Sequence, residues 1–508
     1  MNIIFRLDAS KNNGIGHLIR CKSLASSLIN RGAKAHFIMR YFDMEFRKFL
    51  KIRKCKVTIL PKKKIFSKLD HENLWPKRLQ KIDAIDTKKI ISNKEIDLLV
   101  IDHYGLNSIW EKALKKKAKK IMVISDYLNR RHLCDFFLNQ NIVKQQNLNF
   151  NQNLPKKCKI LLGPKYSLID KSYANYRKNI KIKNKLISKV FISFGGSETP
   201  KLLEKVIESF DCKMLRNLRL IIVSNIKLKK FSKIKKTFYK KQKTLTKLIN
   251  KSDFCIGAGG ISTWERMCLG KPSLVFSISK NQVQICKNLN NKNLIYFLKS
   301  YKNIKPTFIR KKIISILKNI KLFNEKKLNN IITVDGLGVS RVTEILYPSF
   351  TKDLKLRKTM FSDMINYYNW VNEKDAIKSS FNNKQVHIKR HIKWFKKQIM
   401  SKKTLMFVLE AKRLPVGQIR FNLSNKNAYI DYSLDKIVRG RNWGEKIVDL
   451  GLKKINFSKF NAINAEVKKN NYKSISVFNK LGFTQKFFKN KYFYSLYKKN
   501  YIVENDKI

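Results

Sequence analysis

From residue 1 to about 345 the chain alternates short apolar runs with stretches whose apolar positions recur at helical spacing. The runs IIFRLDA (3–9), AKAHFIM (33–39), KVTIL (56–60), IDLLVID (96–102) and KIMVISD (120–126) have the length and branching of strands buried on both faces. Such a rhythm predicts βα repeats around a parallel sheet covered by helices on both sides. It pauses over the lysine-rich segment 171–188, which reads as a linker, and resumes with KVFISFGG, LRLIIVSN, DFCIGAGG and PSLVFSI. Two α/β halves in succession predict ligand binding in the cleft between them.

The pattern changes after LYPSF (346–350). An amphipathic opening, LKLRKTMFSDMINYYNWVNE, leads into the strand patterns TLMFVLEAK, VGQIRFNL and NAYIDYSL, then a glycine turn and a helix. That order predicts an α+β unit on a mostly antiparallel sheet. The expected domains are therefore 1–170, 171–347 and 348–508.

Composition changes this picture little. Hydrophobic residues make up 43% of the 508, which is ordinary for folded chains and argues against disorder. The start MNIIFRLDAS reads as a strand rather than a signal peptide, and the apolar runs are far shorter than a membrane span. The expectation is a cytoplasmic protein with no membrane partner. Eight cysteines are scattered with no CxxC pair, so no metal or disulfide framework is expected; Cys255 and Cys268 read as buried thiols.

The net charge of +75 would ordinarily point to nucleic acid. Here lysine rises together with Asn, Ile and Phe, the amino acids of A- and T-rich codons, and is spread along the whole chain. Runs such as KALKKKAKK (112–120) read as solvated helix faces without interleaved aromatics. No dedicated nucleic-acid partner is expected, although the charge would attract an anionic nucleotide.

Candidate chemistry sits where strands end. GIGHLIRC places Gly14 and Gly16 just before a helix start, with His17 following at once. Glycines admit close backbone approach and a helix start favours anions, while imidazole titrates near neutrality. Spacing leaves His17 open between a helix-cap histidine and a base. Asp8, Asp102, His103, Tyr104 and Asp126 lie at further strand ends; each also suits a cap or turn, the preferred reading for Asp126. In the second half SFGGSETP carries Gly195, Gly196 and Ser197, a turn suited to phosphate or ribose. GAGGISTWERMCLGKPSLVF places Gly259 and Gly260 before a helix bearing Glu265, which suits either the two hydroxyls of a ribose or the helix dipole. Asn281 and Gln282 follow the next strand, where they suit a cap or a ligand contact.

Together FRLDAS…GIGHLIRC, VIDHYGL, SDYLNRRHLCDFFLNQN, LLGPKYSLI, ISFGGSETP and GAGGISTWERMCLGKPSL…NQ resemble the UDP-sugar hydrolases of pseudaminic acid biosynthesis. The resemblance implies a GT-B pair of Rossmann-like domains acting on UDP-2,4-diacetamido-2,4,6-trideoxy-β-L-altropyranose. It implies that His17 activates a water for inverting attack at the anomeric carbon, and that Tyr104 positions substrate or water. Glu265 and Asn281 fall on the family's uridine-contacting glutamate and downstream asparagine. No metal is implied, and no DxD-like cluster is evident. Glycosyl transfer on the same scaffold is the main alternative.

VRGRNWGEKIVDLGLKKI (438–455) resembles the acetyl-CoA loop R/Q-x-x-G-x-G/A of the GNAT N-acetyltransferases. Arg439 and Gly444 match its ends, and Gly440, Arg441 and Trp443 lie within it. Asn442 replaces the middle glycine; Asn is the next best residue for left-handed backbone. NNYKSISVFNKLGF (470–483) is similar to a second family segment, implying Asn471 and Ser474 near the acetyl-CoA. Phe478 stands where many members carry an acid tyrosine, which leaves Asp431, Tyr432 and Glu466 as open acid/base candidates. His391 and Trp394 resemble a subgroup acetylating amino sugars and protein amines, with Trp370 and Trp394 equally readable as core aromatics.

The two resemblances fit consecutive steps: acetylation of the 4-amino group of a UDP-sugar, then removal of UDP. A basic RNA-associated protein with a GNAT fold is the rival from another class.

Overall fold

A computed structural model of the chain describes residues 1–10, 14–50, 52, 54–66, 69, 73–92, 95–143, 152–178, 187–195, 199–226, 233–240, 245–298 and 303–498. The chain forms two compact units, Met1–Thr343 and Glu344–Ile508.

The first unit holds two parallel sheets. Strands β1 (Asn2–Leu7), β2 (Lys34–Met39), β3 (Cys55–Ile59), β4 (Ile96–Asp102), β5 (Ala118–Ile124), β6 (Phe136–Asn139) and β7 (Lys159–Leu162) lie in the order β3-β2-β1-β4-β5-β6-β7. The second sheet takes β8 (Lys189–Ser193), β9 (Arg219–Val223), β10 (Lys236–Tyr239), β11 (Phe254–Ala258), β12 (Ser273–Phe276) and β13 (Tyr296–Leu298) in the order β10-β9-β8-β11-β12-β13. Parallel neighbours need crossovers, which helices supply between β1 and β2, β4 and β5, β8 and β9, β11 and β12, and β12 and β13, whereas residues 125–135 between β5 and β6 form no helix. Burying both sheet faces explains why Ile4 and Phe5, and beside them Leu99 and Val100, are all buried although successive residues point to opposite faces. Strand order reverses between β1 and β4, and again between β8 and β11, so a crevice opens at each of these strand ends.

Two sequence readings change. KALKKKAKK is not one solvated helix: the helix Ser108–Leu114 ends within it and β5 begins at Ala118. The supposed linker begins as the helix Lys171–Arg177, whose Tyr173 packs into the core with Trp264 and Met267. Lysine content concealed that buried aromatic.

In the second unit β14 (Leu354–Lys358), β15 (Thr404–Ala411), β16 (Leu414–Leu423), β17 (Asn427–Leu434), β18 (Ala462–Lys468), β19 (Thr484–Phe488) and β20 (Lys491–Tyr497) form one sheet ordered β14-β15-β16-β17-β18-β20-β19. Its neighbours are antiparallel except β17 and β18, which run parallel and pair only over Asn427–Tyr429 against Ala462–Asn464. Beyond Tyr429 the two strands share no ladder, leaving Ile430–Leu434 and Ala465–Lys468 with edges open to another extended chain. No helix among the described residues is long and apolar enough to cross a membrane.

Candidate active sites

The loop after β1 and the end of β4 meet at the first reversal of strand order. Gly14 has φ +72° and Gly16 has open space where a Cβ would stand, so the loop presents bare backbone. His17 lies in the first turn of the helix Gly16–Ile29, but the N-cap residue is Ile15, and the imidazole does not cap. Instead its Nδ1 stands 2.5 Å from Asp102 Oδ1 at the end of β4. Arg20, one turn along the same helix, grips Asp102 with Nε at 2.6 Å and Nη2 at 2.5 Å.

Burial alone would raise the Asp102 carboxyl, but Arg20 and His17 overcome it and hold the group well below the usual carboxylate range. An ionised Asp102 has no proton to give, so Nδ1 carries the hydrogen in that contact. In the neutral imidazole Nε2 is then the nitrogen without a hydrogen, the arrangement a general base requires.

Tyr104, two residues past β4, sets its ring edge-on to His17 with centroids 4.6 Å apart. Its hydroxyl donates to Asp126 Oδ2 and accepts from Asn281 Nδ2 at 3.2 Å. Burial, reinforced by Asp126, pushes the phenol well above its ordinary value, so Tyr104 is neutral. Asp8 and His103 serve differently. Gly105 N–H donates to His103 Nδ1 at 2.9 Å, so the hydrogen sits on Nε2 and is given to Asp8 Oδ2 at 3.0 Å. Asp8 also accepts from Arg6 and from the Arg40 backbone, each at 2.7 Å, and the pair forms a buried brace behind the loop.

In the second sheet Glu265 sits on the helix Ser262–Cys268 that follows β11. Burial pushes its pKa up to about 7, against the opposing pull of Tyr173 and Arg266. Arg266 ties that helix to β11 by donating to Ala258 O at 2.8 Å. Asn281 opens the helix Lys280–Asn291 and reaches Tyr104, so residues from the two sheets meet at one hydroxyl. Gly195 has φ +79° and open space beside it, whereas Gly196 and Ser197 lie outside the described residues. The two glycines of the GAGG turn part company. A Cβ on Gly260 would meet nothing nearer than 3.8 Å, but one on Gly259 would come within 2.3 Å of Cys286 Sγ. Gly259 is thus required by packing against the helix Lys280–Asn291, a role its motif concealed.

In the second unit Asn442 adopts left-handed backbone (φ 57°, ψ 22°) immediately before the helix Trp443–Leu452, and Gly440 has φ +80°. Arg439 donates to Leu434 O and to Asp375, each at 2.9 Å, and pairs with Glu373 at 2.5 Å. Arg441 pairs with Glu344 at 2.6 Å and lies 5.0 Å over the Trp443 ring. With both guanidinium groups engaged by carboxylates, the loop's backbone N–H groups are what it offers an anion. A Cβ on Gly444 would press on Val477 at 2.9 Å, so that glycine lets two helices approach.

Asn471 caps the helix Tyr472–Lys480, accepting from Ser474 N at 3.4 Å, and Ser474 Oγ accepts from Tyr432 at 3.2 Å. Phe478 is buried and stacked on Tyr494 with centroids 5.2 Å apart. Glu466 pairs with Lys491 at 2.6 Å, and Asp431 accepts from Gln418 at 2.8 Å. His391 is buried against Met364 O at 3.0 Å; Trp370 is buried and donates to Asp435 at 3.1 Å, as core residues do.

Sequence reasoning missed Arg20, which nothing in GIGHLIRC distinguishes from a solvated helix arginine. It also set Asp126 aside as a turn residue. The structure places Asp126 between Tyr104 and Arg20, and the reason is topological: β5 lies beside β4, so their ends converge.

Residues 353–484 match the family model described as acetyltransferase (GNAT) domain. A Campylobacter jejuni protein named UDP-2,4-diacetamido-2,4,6-trideoxy-beta-L-altropyranose hydrolase is 25% identical over 293 residues, 56% of this chain and 93% of its own. A Helicobacter pylori protein named pseudaminic acid cytidylyltransferase and UDP-2,4-diacetamido-2,4,6-trideoxy-beta-L-altropyranose hydrolase is 30% identical over 197 residues, 37% of this chain and 35% of its own. An uncharacterized protein of Methanocaldococcus jannaschii is 23% identical over 527 residues, 98% of this chain and all of its own. The chain thus joins a relative of the UDP-diacetamido-sugar hydrolases to an acetyltransferase domain of the GNAT family.

Proposed function

We propose that the first unit hydrolyses a UDP-activated 2,4-diacetamido-2,4,6-trideoxy sugar to the free sugar and UDP. The observation that carries this reading is the His17–Asp102 pair at the mouth of a glycine loop. In the proposed reaction Nε2 of His17 takes a proton from a water whose oxygen attacks the anomeric carbon. The bond from that carbon to the UDP oxygen breaks, its electron pair leaves with UDP, and configuration inverts. Asp102 stabilises the imidazolium that forms and fixes the ring's direction. UDP is a good leaving group that needs no proton, so one base, an aligned water and dipoles around the diphosphate suffice without a metal. The two parallel sheets would work as a GT-B pair, with Glu265 on the ribose hydroxyls and Asn281 beside the diphosphate sugar.

The second unit would transfer an acetyl group from acetyl-CoA to the 4-amino group of the precursor UDP-sugar. Its cofactor diphosphate would lie on the N–H groups of residues 439–444, beside the left-handed Asn442. The pantetheine arm would enter between Ile430–Leu434 and Ala465–Lys468, where β17 and β18 share no ladder. Acetylation then supplies the substrate for hydrolysis, and one chain would carry consecutive steps at raised local concentration.

The test supplies the 4-amino UDP-sugar with acetyl-CoA and follows CoA and UDP release separately. Both products in sequence support the reading. UDP release only when a sugar acceptor is added would instead identify a glycosyltransferase, and absence of both products would overturn both assignments.

A further inference from the structure

Asp126, two residues beyond β5, lies in the SDYLNRR segment, where the sequence alone reads it as a cap or turn. One carboxylate oxygen, Oδ2, accepts the Tyr104 hydroxyl. The other, Oδ1, accepts from Asn141 Nδ2 at 2.8 Å and stands 3.6 Å from Arg20 Nη1. Tyr104 packs its ring against His17, and Arg20 grips Asp102, which holds Nδ1 of the same imidazole. Asp126 therefore reaches His17 along two separate paths, one through an aromatic contact and one through charge.

We infer that Asp126 is a positioning residue for hydrolysis, fixing the His17 imidazole from two sides through Tyr104 and through the Arg20–Asp102 pair. Both its oxygens are occupied by protein donors, so it holds other groups in place rather than taking the proton of the attacking water. Asp126 also meets the second sheet indirectly: Asn281 donates to the same Tyr104 hydroxyl that Asp126 accepts. A nucleotide that draws Asn281 away leaves Asp126 as the partner still holding Tyr104 against the imidazole. The inference rests on His17 being the hydrolytic base, but the placement of the imidazole can be read without any substrate.

Asp126→Asn keeps the size and an acceptor while removing the charge that faces Arg20. In the full chain it should lower kcat for UDP release by roughly 10- to 100-fold, as small misplacements of a reacting group do, with KM changed far less. In a double-mutant cycle with Tyr104→Phe the two losses should be strongly non-additive, because one path runs through that phenol. A rise in KM alone, or full additivity, would overturn the inference. The second measurement is the rate at which diethyl pyrocarbonate acylates His17, read by peptide mass spectrometry. A rate altered by Asp126→Asn supports the positioning role even if the wild type releases no UDP, a result that would sink the hydrolase reading alone. An unaltered rate overturns the inference. Should Asp126→Asn fail to fold, Asn141→Ala removes only the 2.8 Å donor and should give the same pattern at smaller amplitude.

Discussion

His17 and Asp102, 85 positions apart, face each other across 2.5 Å because β1 and β4 are adjacent strands at the point where sheet order reverses. Arg20, one turn along the helix from His17, grips the same carboxylate, and its Nη2 shares Oδ1 with the imidazole. An imidazole held in this way keeps its direction, as the proposed general base would need.

The first prediction follows from that pair. His17→Ala should abolish UDP release and leave CoA release intact, since the base acts in one unit only. Asp102→Asn keeps the shape but removes the charge that stabilises the imidazolium, and should lower UDP release on the order of 100-fold. Separate assays of the two products check both outcomes. UDP release at the wild-type rate in His17→Ala would remove the assignment of the base.

Glu265 gives a pH prediction. Burial pushes its pKa up to about 7 from an ordinary 4.5, so the folded chain binds a proton that the unfolded chain has released between those values. Stability therefore falls as pH rises from about 4.5 to about 7, and the full cost is present above that window. Glu265→Gln stays neutral throughout, so it should stabilise the first unit at pH 8 by at most about 3 kcal/mol and leave it unchanged at pH 4.5. Thermal unfolding at the two pH values measures this. Affinity for UDP should move oppositely in the wild type: a carboxylate that accepts ribose hydroxyls must be ionised, so binding tightens as pH rises through about 7. Titration calorimetry should find that dependence flattened in Glu265→Gln.

The neighbouring glycines separate packing from ligand approach. Gly259→Ala drives a methyl to 2.3 Å from Cys286 Sγ and should destabilise the first unit by roughly 1–3 kcal/mol. Gly260→Ala meets nothing nearer than 3.8 Å, so its unfolding should be near wild type and any loss should fall on UDP binding instead. Equal thermal shifts in the two variants would contradict this division.

The βα rhythm and the antiparallel third pattern were legible because buried strands and amphipathic helices have different apolar periods. Strand ends could likewise be named as places for chemistry: Asp102 closes β4, Tyr104 follows it, and His17 opens the helix that succeeds β1. What the chain could not disclose is which strand ends are neighbours. Order β1-β4-β5 makes Asp126 a partner of Tyr104, while composition and spacing made it a turn residue. Nor does a glycine motif reveal whether the missing side chain leaves room for a ligand or for a cysteine on another helix. In the acetyltransferase loop the reverse holds. The left-handed residue was readable in Asn442, but the carboxylates that engage Arg439 and Arg441 lie as far away as Glu373 and Glu344.

Asn442 supplies the last prediction. Its φ of 57° and ψ of 22° place it in the left-handed region, where residues other than Gly, Asn and Asp lose about 1–2 kcal/mol. Asn442→Gly keeps the left-handed conformation accessible without adding bulk and should retain CoA release at close to the wild-type rate. Asn442→Ala removes the side-chain amide that eases this conformation and should both lower the stability of the second unit and raise KM for acetyl-CoA. The loss should fall on acetyl-CoA if the proposed diphosphate cradle depends on this residue staying left-handed. UDP release by the first unit should be unaffected in either variant when the diacetamido substrate is supplied directly. If Asn442→Ala bound acetyl-CoA as tightly as the wild type, the loop would not be its diphosphate cradle.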